Sequence, residues 1–177
     1  MALGEPHRRS DMLRSWERGA RFIVDNQNAD GGWYDHEFHP SGVEITAHLI
    51  QDGLIADLVI DKRISAIRES CEKGVAKLCE WQVQDGSWDE ENVDHTMDCT
   101  RSLMVVTRAL ETTHGNDVIE KGVQWVLTNK NPQGWGDFPD METNLERTCD
   151  GLDTLLKYKA YRSTHPLEVV RLWGYIP

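Results

Sequence analysis

The sequence predicts an all-α fold built from three helix pairs, and three observations predict it. One segment recurs along the chain as "RGARFIVDNQNADGGW" (Arg18 to Trp33), as "KGVAKLCEWQVQDGSW" (Lys73 to Trp88) and, more loosely, as "KGVQWVLTNKNPQGWG" (Lys121 to Gly136). A fixed period of this kind is the signature of repeated supersecondary units. Behind each copy comes a stretch with apolar residues at helical spacing and no internal proline. Strand signals are missing: Val and Ile do not alternate with polar residues over useful lengths, and no Asn-Gly or Asp-Gly pair separates two such runs. The length of 177 residues with 39% hydrophobic content fits one domain over residues 1–177.

Each element follows from the repeat. The first helix, expected over residues 12–28, carries Arg18 and Gly19; nine positions after the basic residue comes Gln27, followed by Gly31 and Trp33. Its partner is "VEITAHLIQDGLIADL", expected over 42–59. The second pair repeats the plan, with a helix over 65–83 leading to Gln82, Gly86 and Trp88, then "MDCTRSLMVVTRAL" over 97–112. In the third pair, a helix over 116–130 ends at Lys130 in place of the glutamine, and Trp135 comes one residue early after Gly134. "RTCDGLDTLLKYKA" forms the last main helix over 147–161, and "PLEVVRLW" (Pro166 to Trp173) a short C-terminal one. Glycines after the first-type helices mark turns that need positive φ.

The repeated polar and aromatic residues have a structural reading. A glutamine amide at a helix end can satisfy orphan backbone groups, and a tryptophan just beyond the turn can lie over the helix terminus or the next repeat. Gln27, Gly31, Trp33, Gln82, Gly86 and Trp88 are therefore rivets between helix pairs and not ligand contacts. In the second halves, aligning Thr46 with Thr100 superposes Glu44 on Asp98, and the third copy then supplies Thr148, with Cys149 matching Cys99. In this register these residues open their helices, where acids and threonine are ordinary N-terminal caps.

Charge narrows the function classes. A net charge of −11 and a pI near 5.0 speak against a phosphate-backbone binder, which needs a surplus of Lys and Arg. Nucleic acid is not an expected partner. No stretch approaches the length of a transmembrane helix, "MALGEPHRRSD" holds no apolar signal core, and a cytoplasmic protein is expected. Cys71, Cys79, Cys99 and Cys149 show no CxxC spacing and are expected as free thiols.

The pattern from Arg18 to Trp33, basic, Gly, aromatic, aliphatic, Gln, Gly and Trp, resembles the QW motif of the squalene and oxidosqualene cyclases, within the α/α-toroid superfamily of prenyltransferase repeats. The second copy departs at Lys77, the third at Lys130 and in its shortened turn. The resemblance covers residues 14 to 161. It implies a ring whose first-type helices form the outer wall and whose second-type helices line a cavity. Three pairs make about half such a ring, and repeat arrays with uncovered apolar ends associate. Self-association, or a second subunit that completes the ring, is the structural expectation.

The resemblance also implies a chemistry. "DCT" at Asp98 to Thr100 resembles the start of the DCTAE motif of oxidosqualene cyclases, and Asp98 falls on the middle acid of the DxDD motif of class II terpene cyclases. That implies acid-initiated cyclisation of an isoprenoid or polyene, a hydrophobic small-molecule substrate, with Asp98 as general acid. Cys99 and Cys149 would hydrogen-bond it, and Glu44 or His48 would accept the final proton. Phe38, Trp135, Phe138 and His95, with Tyr34, are the side chains placed to contact substrate, aromatic faces serving to steady cations. The chain departs from the motifs at Arg101 and Ser102, which replace Ala and Glu, and at Thr96 and Cys99, which replace the outer acids. A proton donor must stay protonated, whereas Arg101 beside it would hold it ionised. No cofactor is expected. A zinc site from Asp98, a cysteine and His48 or His95 would lack the DxC spacing of the protein prenyltransferases, so no metal is expected either. Two non-catalytic readings stand beside the cyclase: a module whose concave face holds a lipid, a polyketide-like chain or a peptide, and an assembly subunit.

Overall fold

A computed structural model describes residues 5–34, 40–54 and 65–163 of the chain. Among these residues the fold is all-α, with no strand and two isolated bridges, Trp33 with Gly42 and Asn131 with Gly134. The helices are α1 (Glu5–Asp25), α2 (Val43–His48), α3 (Ser65–Trp81), α4 (Val93–Leu110), α5 (Asn116–Thr128) and α6 (Leu145–Tyr161). Past His48, α2 widens into a π-helical segment, Leu49–Leu54. The expected C-terminal helix over 166–173, the end of the helix expected over 42–59, and Phe38 lie outside the described residues.

The helices pack as two layers. In one, α1 lies against α3; in the other, α4 stands between α2 and α6, and α3 and α5 back onto α4. With neighbours on three sides, α4 buries fourteen of its 18 residues. Fully buried Trp33, Ile50, Leu78, Trp88, Leu103 and Ile119 belong to one apolar cluster between the layers, and Met97, Trp125 and Trp135 to a second. Each large apolar side chain removed from water stabilises by roughly 1.5–3 kcal/mol.

The rivet reading is visible in hydrogen bonds. Gln27 Nε2 donates to the carbonyl of Gly31 at 2.7 Å and to that of Ser70 on α3 at 2.9 Å. Gln82 repeats this toward Gly86 at 3.1 Å and Val118 on α5 at 2.8 Å. Each indole N–H donates to a carbonyl near the end of the preceding helix at 2.8 Å, Trp33 to Ile23, Trp88 to Leu78 and Trp135 to Val126. Gly31 (φ 92°) and Gly86 (φ 104°) take the left-handed backbone, and a methyl on either would press the Lys73 or Lys121 carbonyl of the next repeat. Trp135 is thus a buried residue whose indole N–H is held by the Val126 carbonyl.

The register of the second halves differs from the sequence alignment. The backbone N–H of each motif tryptophan donates to a threonine hydroxyl: Trp33 to Thr46 at 3.0 Å, Trp88 to Thr96 at 3.1 Å and Trp135 to Thr148 at 3.2 Å. Thr46, Thr96 and Thr148 are therefore equivalent, and Thr100 is one turn further on. The tryptophan-to-threonine separation is 13, 8 and 13 residues. The short middle loop starts α4 at Val93, ahead of the expected residue 97. Its N-cap is Asn92, whose side chain accepts from the His95 N–H, just as Asn144 caps α6 through Arg147. Asp98 sits in the second turn and caps nothing. Its counterparts are His48 and Asp150; Glu44 corresponds to Asp94 and Glu146, and Cys149 to Met97 rather than Cys99.

Candidate functional site

The shared register brings His48, Asp98 and Asp150 to one level across the layer of α2, α4 and α6. His48 ends the regular part of α2 and reaches α4, where its Nε2 lies 2.8 Å from Asp98 Oδ2. The other Asp98 oxygen accepts from Arg101, one turn along α4. Both Asp98 and Arg101 are buried. Arg101 then crosses to α6, donating to Asp150 at 3.0 Å and Asp153 at 3.4 Å, and Asp153 also takes the Lys157 ammonium.

A second rung lies one turn closer to the helix starts. His95 on α4 stands 3.3 Å from Glu44 on α2 and 2.6 Å from Asp89. The same two register positions, one repeat later, hold Asp94 on α4 and Arg147 on α6, which form an ion pair. Arg147 also meets Asp137 at 3.2 Å and Asp150 at 2.8 Å. Asp150 therefore links the two rungs. Alternating charges run from α2 through α4 to α6.

The electrostatics follow from these partners. Burial alone would raise the Asp98 pKa, but the hydrogen bond with His48 and the charge and hydrogen bond of Arg101 outweigh it, so the carboxyl titrates below its ordinary 3.8. The hydrogen bond to Asp98 raises the His48 pKa above 6.5 against the opposing effect of burial. The Arg101 guanidinium stays charged, its burial offset by Asp98 and Asp150. Both shifts favour the imidazolium–carboxylate form of the pair, with the proton on half-exposed His48. For Asp94, burial and the nearby Asp98 charge outweigh Arg147 and push the carboxyl upward.

The residues expected from sequence divide into three sets. His48 and Asp98 meet directly, and Glu44 and His95 form the neighbouring rung. Cys99 and Cys149 do not join them: Asp98 hydrogen-bonds His48 and Arg101, Cys99 is wholly buried in the apolar cluster with its thiol pushed well above 9.0, and Cys149 is exposed on α6. Of the aromatic set, Trp135 is buried as described, while Phe138 and Tyr34 lie partly exposed on loops. Sequence reasoning missed Asp94, Arg147, Asp150, Asp153 and Lys157. Their signal was the Asp150, Asp153, Lys157 spacing along one helix face, which joins the site only in the corrected register.

None of the four cysteines is in a disulfide. Among the described residues no group of three or more His, Cys, Asp or Glu side chains is placed to hold a metal ion, and no helix is long and apolar enough to cross a membrane. No protein-family model matches the chain.

Proposed function

We propose that this protein is a non-catalytic assembly module, an arc of helix pairs whose second-layer helices are bolted together by the ionic ladder. One observation carries this reading: the carboxylate of Asp98 is taken up by His48 and Arg101, and Arg101 by Asp150 and Asp153. An acid that initiates cyclisation has to hold a proton in a weakly polar pocket. A carboxylate pressed against a guanidinium gives its proton up. The same contacts suit a rigid scaffold, because His48 to Asp98 joins α2 to α4 and Arg101 to Asp150 and Asp153 joins α4 to α6, with the Arg101 to Asp98 pair within α4 linking the two. Cysteines outside disulfides fit a reducing, cytoplasmic setting.

A second reading is favoured by the half-exposed His48 held 2.8 Å from buried Asp98. There the imidazolium donates the proton, Asp98 positions it, and the reaction is the opening and cyclisation of an isoprenoid or polyene epoxide, since an imidazolium is a weak acid for a bare alkene.

The test incubates the full chain with squalene, oxidosqualene and geranylgeranyl diphosphate and searches for cyclic products by mass spectrometry. The expected result is none, with Asp98→Asn lowering the unfolding free energy by about 3 kcal/mol because Arg101 loses its nearest buried counter-charge. A cyclic product made by the wild type and lost in both Asp98→Asn and His48→Gln would overturn the module reading and establish the acid.

A further inference from the structure

We infer that the module's partner is a second copy of this chain, joined through the α1 edge of one copy and the α6 edge of the other. This rests on the assembly reading and names its partner. Within the chain, adjacent repeats meet by one rule: the glycine of the basic-glycine pair on a first-layer helix receives side chains of the repeat before it. A Cβ on Gly74 would stand 2.5 Å from Ile50 Cδ1 and 3.0 Å from the Trp33 ring. On Gly122 it would stand 2.4 Å from Thr100 Oγ1 and 3.1 Å from the Trp88 ring. Gly19 holds the same place on α1, and among the described residues no side chain stands within 4 Å of where its Cβ would be. It is a socket without a knob.

The matching knob is at the other edge. Counted from Thr46, Thr96 and Thr148, Leu152 on α6 corresponds to Ile50 and Thr100. Those two are fully buried by the next repeat, whereas Leu152 is 61% exposed. Leu145 is 91% exposed where its counterpart Val93 is buried, and Leu156 52% exposed where Leu54 and Met104 are buried. Counted from Gly19, Gly74 and Gly122, α1 shows the complementary surplus: Met12 is 67% exposed where Ile67 is buried, and Phe22 68% exposed where Trp125 is buried. The two free edges are the two halves of the joint already used twice inside the chain.

Charge favours the same partner. Residues 11–25 of α1 contain Asp11, Glu17 and Asp25 against Arg14, Arg18 and Arg21; α6 contains Glu146, Asp150 and Asp153 against Arg147, Lys157 and Lys159. Each edge is neutral within a chain of net charge −11, so the edges are where two copies repel each other least. Because the joint has unlike halves, two copies that close on one another form it twice.

Light scattering on the full chain at tens of micromolar, by order of magnitude a usual range for such association, tests the inference. The expected mass is about twice the 20.3 kDa of one chain. Gly19→Leu fills the socket and Leu152→Asp charges the knob, both at exposed positions, with helix content checked by circular dichroism. Each variant alone is expected to weaken association about tenfold or more, and a mixture of the two to recover mixed pairs, since one intact joint survives in each. A monomeric wild type would overturn the inference. So would a Gly19→Leu variant that associates like wild type while Leu152→Asp does not, because that pattern means α6 pairs with α6. Cyclic product together with a doubled mass would remove the assembly-only reading and leave the joint standing.

Discussion

At the residue scale the central fact is where the Asp98 proton goes. His48 and Arg101 together draw the carboxyl below 3.8, and Asp98 in turn holds His48 above 6.5. Linkage makes these directions a stability profile. A lowered acid contributes above its unfolded pKa, and that contribution is lost as pH falls through its folded value. A raised histidine contributes below 6.5, and that contribution is lost as pH rises through its folded value. The pair therefore stabilises fully between about pH 4 and 6.5 and less on either side. Urea unfolding of wild type and His48→Gln across pH 3 to 9 reads this directly: their difference should be largest in that window and shrink toward both ends. A difference that stayed constant to pH 9 would mean that His48 acts through packing and not through charge. Sequence reading selected Asp98 from the resemblance of "DCT" to a cyclase motif, Arg101 as its departure from that motif, and His48 because it shares a helix face with Glu44. It could not find Asp150, which meets Arg101 only through the packing of α6 on α4.

At the element scale the decisive quantity is loop length. The motif tryptophans and glycines announce themselves by spacing, which is why six helices and their order were readable. The loop from Trp88 to α4 is shorter than its two counterparts, and the "DCT" and "RTC" look-alikes then drew the alignment one turn off. What fixes the true register is a threonine hydroxyl accepting the tryptophan N–H, a contact made across the loop that leaves no spacing rule. Thr96→Val removes the acceptor of the buried Trp88 amide and should cost about 1–3 kcal/mol. Thr100 Oγ1 only donates to the Thr96 carbonyl within α4 at 2.7 Å, so Thr100→Val should cost about 1 kcal/mol or less. Chemical denaturation of the two near-isosteric variants decides between the registers, and a larger loss at Thr100 would reinstate the sequence alignment. The π-helical widening at Leu49–Leu54 was equally hidden, since nothing in "LIQDGL" departs from helical spacing.

At the scale of the whole molecule, two opposing forces set the behaviour. A charge of −11 on 177 residues drives copies apart, while in the proposed joint three exposed leucines on α6 and the exposed Met12, Leu13 and Phe22 on α1 would draw them together. Repulsion between whole chains is long-ranged and is screened beyond about 8 Å at physiological ionic strength, whereas apolar contact at neutral edges is not. Salt should therefore strengthen association. Association also couples to unfolding, because a joint made only by folded chains raises the free energy needed to unfold either one. For a pair that dissociates on unfolding, each tenfold rise in concentration adds about 0.7 kcal/mol per chain, or about 2 °C in Tm for a domain of this size. Melting curves across a hundredfold range of concentration should show that climb for wild type, more steeply in physiological salt than at low ionic strength. Gly19→Leu, whose socket is filled, should begin to climb only at concentrations about tenfold or more higher than wild type. A wild-type Tm independent of concentration and salt would mean that the repulsion of like-charged chains prevails and that the edges have no partner of their own kind.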